Sequence, residues 1–206
     1  MLSAALPPPN WIRLSQVLPS DSPDIIQLVA YSTGFAALSA QGQVWTWGDE
    51  RYVACLGRDL EIDATIPGQV TDLSDLPTGP ITKLSAGGYV LAALTAGNDL
   101  YIWGHAGRAA AAGLAGLEVA DEPMPVVIED HDIADIAVGE AHLVALTTSG
   151  EVFVIGSNSN GQLGLGREVE AVDSWTKVSV EKQTAFVSVA AGPRSSFLLA
   201  KKDKQR

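Results

Sequence analysis

The sequence predicts an all-β chain built from four-stranded antiparallel blades, arranged as part of a β-propeller. Three observations carry that reading. Three segments share a turn residue, a short run of β-formers and a closing glycine: GQVWTWG (Gly42 to Gly48), NDLYIWG (Asn98 to Gly104) and GEVFVIG (Gly150 to Gly156), with last glycines 56 and 52 residues apart. Each follows a second strand, TGFAALSA, YVLAALTA or HLVALTTS, across a turn signal at Gln41-Gly42, Gly97-Asn98 or Ser149-Gly150. No stretch has a convincing helical period.

Further upstream in each unit lies a third strand: DIIQLVAYS, PITKLSAGG and DIADIAVGE, with a fourth copy in AFVSVAAGP (Ala185 to Pro193). Their alternation of aliphatic and polar residues marks half-buried strands. Ahead of these, NWIRLSQV, GQVTDL, PVVIED and SWTKVSV are expected as the leading strands of their units. A unit of four short strands that cannot bury both faces alone stacks its neighbours radially. The segment GRAAAAGLAGLE has a helix-like composition, but its three glycines favour a small-residue loop. After the third hairpin, GSNSNGQLGLG offers Gly156, Gly161, Gly164 and Gly166 for positive φ or close backbone approach, and Asn158 and Asn160 for Asx-type turns. The expected division is a flexible segment over 1–10, repeats over 11–66, 67–123 and 124–173, a partial repeat over 174–200, and a basic tail over 201–206.

Composition narrows the function classes. Thirteen Lys and Arg face 24 Asp and Glu, giving −11, which argues against nucleic acid or an anionic membrane as partner and favours a basic one. The single cysteine, Cys55, excludes an internal disulfide or a multi-cysteine metal site, fits a reducing compartment, and sits among apolar neighbours as a core residue. No stretch approaches the ~18 apolar residues of a membrane span, and MLSAALPPPN lacks the basic start of a signal peptide. An intracellular, cytoplasmic or nuclear, protein is expected.

Catalytic signatures are missing from the sequence: it has no nucleophile elbow, HExxH, P-loop or dinucleotide fingerprint, so neither catalysis nor a cofactor or metal is expected. Trp47 and Trp103 share a repeat position and read as core, and Trp45 shares the face of Trp47. Between Arg108 and Arg167 there is no Lys or Arg, but there are nine acids, including Glu129, Asp130, Asp132 and Asp135. Such a stretch is either a solvated face or an acidic surface for a basic partner.

The residues Asp132 to Gly166 resemble the regulator of chromosome condensation repeat family almost throughout. They carry Gly139, His142, the Gly150 turn, Gly156 and the GQLG of Gly161 to Gly164. The second copy keeps Gly87 and Trp103-Gly104 but has Val90 in place of the histidine. The first keeps Trp47-Gly48 and a degenerate CLG (Cys55 to Gly57), with Tyr31 and Gly34 at the family glycine and histidine positions. The fourth has Gly192 and Ser195. WD and kelch repeats fit poorly, since these copies end in WG or IG and recur at a longer period.

The resemblance implies a structural role for His142, bonding backbone near the blade core. It also implies a ring of about seven blades, of which this chain supplies three and a half. The chain is then a piece of a longer propeller, a ring completed by homo-oligomerisation, or a stable partial solenoid. The expected function is a non-enzymatic protein-interaction module whose contact surface is the loops after each WG. Candidate contacts are Asp49, Glu50 and Arg51 in the first loop, His105 and Arg108 in the second, and Ser157, Asn158 and Asn160 in the third, with the acidic Glu129, Asp130 and Asp132. The alternative is guanine-nucleotide exchange on a small Ran-like GTPase, the activity of the family's founding member.

Overall fold

The computed structural model describes residues 24–180 and 185–201. The expected strand over NWIRLSQV, the segment 1–10 and nearly all of the basic tail lie outside the described residues. Among the described residues fourteen strands form three four-stranded antiparallel meanders and one two-stranded sheet. The first sheet holds β1 (Ile25–Tyr31), β2 (Gly34–Ser39), β3 (Val44–Gly48) and β4 (Gly68–Gln69). The second holds β5 (Ile81–Gly87), β6 (Val90–Thr95), β7 (Leu100–Gly104) and β8 (Met124–Val126). The third holds β9 (Ile133–Val138), β10 (His142–Thr147), β11 (Val152–Ser157) and β12 (Ala171–Lys177), and the fourth β13 (Phe186–Gly192) and β14 (Ser195–Ala200).

The hairpins fall where the turn residues place them. Each tip is closed in the same way: the hydroxyls of Ser39, Thr95 and Thr147 accept the backbone N–H of Gln43, Asp99 and Glu151, each at 3.0 Å. These hydroxyls satisfy amides that the tight turn leaves unpaired.

The placement of the fourth strand corrects the sequence reading. GQVTDL and PVVIED do not lead the units that follow them. Gly68 and Gln69 pair with Thr46 and Trp45 of the preceding sheet, and Met124 to Val126 pair with Leu100 to Ile102. SWTKVSV is likewise the end of β12, which closes the third sheet. Each sheet is therefore one strand out of phase with the spans 11–66, 67–123 and 124–173.

Cross-strand partners share a face, so the registers sort each sheet into two. In the second sheet Leu84, Ala93 and Tyr101 lie on one face with Leu91 and Trp103; they meet Ala36, Leu38 and Val44 of the first sheet in one cluster. The opposite face, with Val90, Ala92 and Ile102, meets Ile136, Leu143 and Phe153 of the third sheet. Ala137, Val144 and Val154 on the third sheet's far face then meet Val189 and Leu198 of the fourth. The core is three sheet-to-sheet joints in series.

Backbone crowding explains the repeated glycines. A methyl group on Gly87 would lie 2.3 Å from Gly139 O, and one on Gly139 would lie 2.2 Å from His142 Cε1 and 2.8 Å from Gly192 O. His142 needs that space because its ring is fully buried, with Nε2 2.9 Å from the Ser196 hydroxyl. Burial pushes its pKa down, so the ring is neutral. The first sheet reverses the pair: Tyr31 stands at the glycine position, and a methyl on Gly34 would lie 2.7 Å from the Tyr31 hydroxyl. A small-large pair has become large-small, and the same volume is filled.

Polar clamps join the inner strands. Gln27 exchanges hydrogen bonds with the Leu84 backbone, donating to O at 2.7 Å and accepting from N at 2.8 Å. Asp135 pairs with Lys83 on one side and accepts from Ser188 Oγ at 2.7 Å and Val189 N at 2.9 Å on the other. Asp135 is only 6% exposed, so it is an inter-sheet clamp and not part of an acidic surface. Burial would raise its pKa, but the hydrogen bonds from Lys83, Ser188 and Val189 N outweigh that and hold it below the usual carboxylate value.

Two further expectations are corrected. The segment after His105 is helical, with an α-turn at Ala106–Ala109 continuing through Ala110–Leu114; its alanines prevail until Gly113 leaves helical geometry at φ 106°. Trp103 is fully buried, but Trp47 is only partly so. Trp47 stacks on Phe35, itself 45% exposed, with centroids 5.7 Å apart, on the first sheet's outward face. Cys55 is buried, as expected, and burial pushes its thiol pKa up.

Candidate interaction surface

The loops after β3, β7 and β11 leave one rim of the blades. The same hydrogen bond fixes each start: Asp49 N to Thr33 O at 2.8 Å, His105 N to Tyr89 O at 3.0 Å and Ser157 N to Ala141 O at 2.8 Å. Glycine is needed just before the third of these bonds. Gly156 has φ 110°, and a methyl there would lie 2.3 Å from Ala141 O.

In the first loop Asp49 caps a 3₁₀ segment, Glu50–Leu56, by accepting from Arg51 N at 3.0 Å. It also accepts from Arg51 Nε at 3.0 and 3.1 Å. The Arg51 side chain thereby lowers the exposed Asp49 carboxyl to about 2. Glu50 is exposed beside them.

The second loop meets the first around Tyr52. Its ring centroid lies 5.5 Å from that of Tyr89 and 5.8 Å from that of His105. The Arg108 guanidinium sits 5.7 Å from both tyrosine rings, with Nη2 3.4 Å from the Tyr52 hydroxyl, and Arg51 lies 5.8 Å from Tyr52 on its own account. These are cation–π distances. His105 Nδ1 accepts from Arg108 N at 3.3 Å and so caps the helical turn that carries the arginine. Among the described residues no carboxylate lies within ion-pairing distance of Arg108. Arg51 by contrast is spent on Asp49.

The third loop adjoins the second through Leu114, buried against Gly156 and Ile155. Ser157 and Asn160 reach the surface of this loop, but Asn158 does not fit the role proposed from its position. It is 4% exposed; its amide donates to Gly166 O at 2.9 Å and Val169 O at 2.7 Å, and its oxygen accepts from Leu163 N at 2.9 Å. It fastens the loop and has no donor left for a partner.

Glu129, Asp130 and Asp132 are exposed at the opposite rim, beside the hairpin tips. There Asp132 O accepts from Thr148 N at 2.9 Å, and His131 Nε2 lies 3.2 Å from Glu151. The structure therefore brings Asp49, Arg51, His105 and Arg108 together, sets Ser157 against Gly113 of the second loop, turns Asn160 toward the fourth sheet, and separates the acids. Tyr52 and Tyr89, the centre of the cluster, escaped the sequence reading. Their only signal was an aromatic residue just past Gly48 and Gly88. Among the described residues no three metal-ligating side chains cluster, and no helix is long and apolar enough to cross a membrane.

Comparison with known proteins places this framework. The regulator of chromosome condensation (RCC1) repeat profile matches residues 41–94 and 149–199, and a second profile for that repeat matches 133–162. The chain belongs to the RCC1 repeat family. It is similar to the human regulator of chromosome condensation, 33% identical over 162 residues, covering 74% of this chain and 35% of the relative. It is also similar to the mouse RCC1-like G exchanging factor-like protein, 27% identical over 183 residues, covering 86% of this chain and 38% of the relative. The chain thus spans little more than a third of these relatives.

Among solved structures, human WBSCR16 superposes with a TM-score of 0.66 at 26% identity, covering 86% of this chain and 45% of that one. The yeast RCC1 Prp20, described with its binding properties to Gsp1p and histones, shares the fold, with a TM-score of 0.54 at 19% identity over 92% of this chain and 58% of that one. The RCC1 repeat match accounts for the WG and GQLG spacing and for the open blades of a partial propeller.

Proposed function

We propose that this RCC1-repeat chain is a non-enzymatic protein-interaction module that contacts its partner through the loop rim. The observation that carries the reading is the convergence of the half-buried Tyr52, Tyr89 and His105 from two blades beneath the exposed Arg108. Aromatic and arginine side chains held by their own framework contribute contact area at little further ordering cost. The acidic Glu129, Asp130 and Asp132 on the other rim form a second surface, suited to a basic partner. The module works inside the cell without cofactor or metal. Affinity capture tests it: Arg108→Ala and Arg108→Glu, both at an exposed position, should release specific partners while thermal stability is kept. Retention of every partner by both variants would sink the rim as the contact surface.

Guanine-nucleotide exchange on a small Ran-like GTPase is the second reading, supported by relatives named as exchange factors. Exchange requires tighter binding to the nucleotide-free GTPase than to its loaded form. Acceleration of labelled GDP release from such a GTPase by the folded chain is the expected result; an unchanged release rate removes this reading.

A further inference from the structure

The joints between the four-stranded sheets end differently at the outer wall. Between the first and second sheets the joint opens on a polar groove lined by Arg58, Asp59, Asp72 and Asp121, where Arg58 is tied down, donating from Nη2 to Ile66 O at 3.1 Å. Between the second and third sheets it opens on a groove of about 620 Å³ walled by Leu117, Val119, Met124, Val126, Val127 and Trp175. This second groove is continuous with the core. Leu117 belongs to the buried cluster that joins the two sheets, and Val119, Val126 and Trp175 pack against that cluster.

The local sequence builds it. Met124 and Val126 are the register partners of Ile102 and Leu100, so both turn toward the third sheet. Trp175 sits in a bulge of β12, where the register skips between Val154 and Gly156, and reaches the same joint from the other side. Met124 is nevertheless 48% exposed and Val127 72% exposed. Pro125 removes an amide N–H from β8, which blunts this outer strand against pairing with another. What the groove can recognise is therefore a side chain.

Charge selects the occupant. Glu118 lines the groove, and Asp173 has its main chain against Gly116, another lining residue. Both acids are exposed, and among the described residues no Lys, Arg or His lies within ion-pairing distance of either. No cation lines the groove, and Lys177, two residues past Trp175, is paired with Glu151. A second copy of this chain, at −11, is a poor match for such a site.

We propose that this groove docks a short segment of a partner polypeptide carrying one bulky apolar side chain flanked by Lys or Arg. The apolar side chain enters between Met124, Val126 and Trp175 and extends the core outward, while the flanking cations meet Glu118 and Asp173. The site lies on the outer wall, apart from the loop rim, and does not rest on that surface.

The test uses a fluorescein-labelled peptide, GKRFKRG, titrated with the full chain and followed by anisotropy. Saturable binding is expected, weakened about tenfold when serine replaces the peptide's phenylalanine and about tenfold when serine replaces its four basic residues. Glu118→Lys and Met124→Ser, both at exposed positions, should each weaken it several-fold, whereas Glu50→Lys and Arg108→Ala on the loop rim should leave it within about twofold. Amide shifts in the labelled chain should cluster on Leu117 to Val127 and around Trp175. Equal binding of the serine-for-phenylalanine peptide would reduce the effect to charge adsorption and overturn the proposal. So would undiminished binding by both groove variants, shifts confined elsewhere, or no saturable binding by the folded chain.

Discussion

Replacing Gly139 by alanine tests the account of how the blades meet at their inner ends. The added methyl would lie 2.2 Å from His142 Cε1 and 2.5 Å from His142 Nδ1, and 2.8 Å from Gly192 O. The backbone φ of Gly139 is not positive, so the penalty is steric and not conformational. Overpacking of a buried site of this kind costs about 3 kcal/mol. His142→Ser alone empties the ring's space and gives up its contact with Ser196, for about 2 kcal/mol. If the two residues divide one volume, the double variant lacks most of the clash and costs about 3 kcal/mol, a coupling of about 2 kcal/mol. Urea unfolding followed by circular dichroism measures all three. Additivity within about 0.5 kcal/mol would refute the shared-volume argument, and with it the reading of Tyr31 and Gly34 as the same pair reversed.

Asp135→Ala should destabilise the chain by about 3 kcal/mol at neutral pH, because it strands Lys83 and two donors of β13. The Asp135 carboxyl is held below its unfolded value, so its contribution is present above about pH 4 and fades as pH falls through the folded pKa. The gap between wild type and the alanine variant, followed by thermal melts from pH 7 to pH 2, should narrow only at the acid end. Trp103→Ala should cost about 4 kcal/mol and Trp47→Ala about half as much, since only the former is sealed under a neighbouring loop; equal urea midpoints for the two variants would contradict this. Arg108→Ala should leave the melting temperature within about 2 °C of wild type, as an exposed residue with one weak hydrogen bond does little for stability.

The hairpins were legible because their information is local. A period of two and a turn residue at Gly42, Asn98 and Gly150 specify a hairpin without reference to anything distant. The fourth strands were visible as segments but were assigned to the wrong neighbours. Gln69 finds Trp45 only after the loop from Asp49 has folded back, and strand propensity says nothing of which edge a strand joins. The recurrence of Ser39, Thr95 and Thr147 at the repeat spacing was in plain view and went unread, since a hydroxyl at a strand end has no signature until the amide it accepts is known.

The candidate surface was half legible for a related reason. Position after the WG picked out His105 and Arg108, but Tyr52 and Tyr89 matter only because two blades press their loops together. In a stacked repeat, a residue's environment comes from the unit before it. Trp47 and Trp103 occupy one repeat position yet differ in burial, and Gly57 and Gly164 share a backbone conformation while only one is covered. Identical letters therefore mark a structural residue where a neighbour covers them. Where none does, as at Gly164, the backbone conformation is kept without the covering contact.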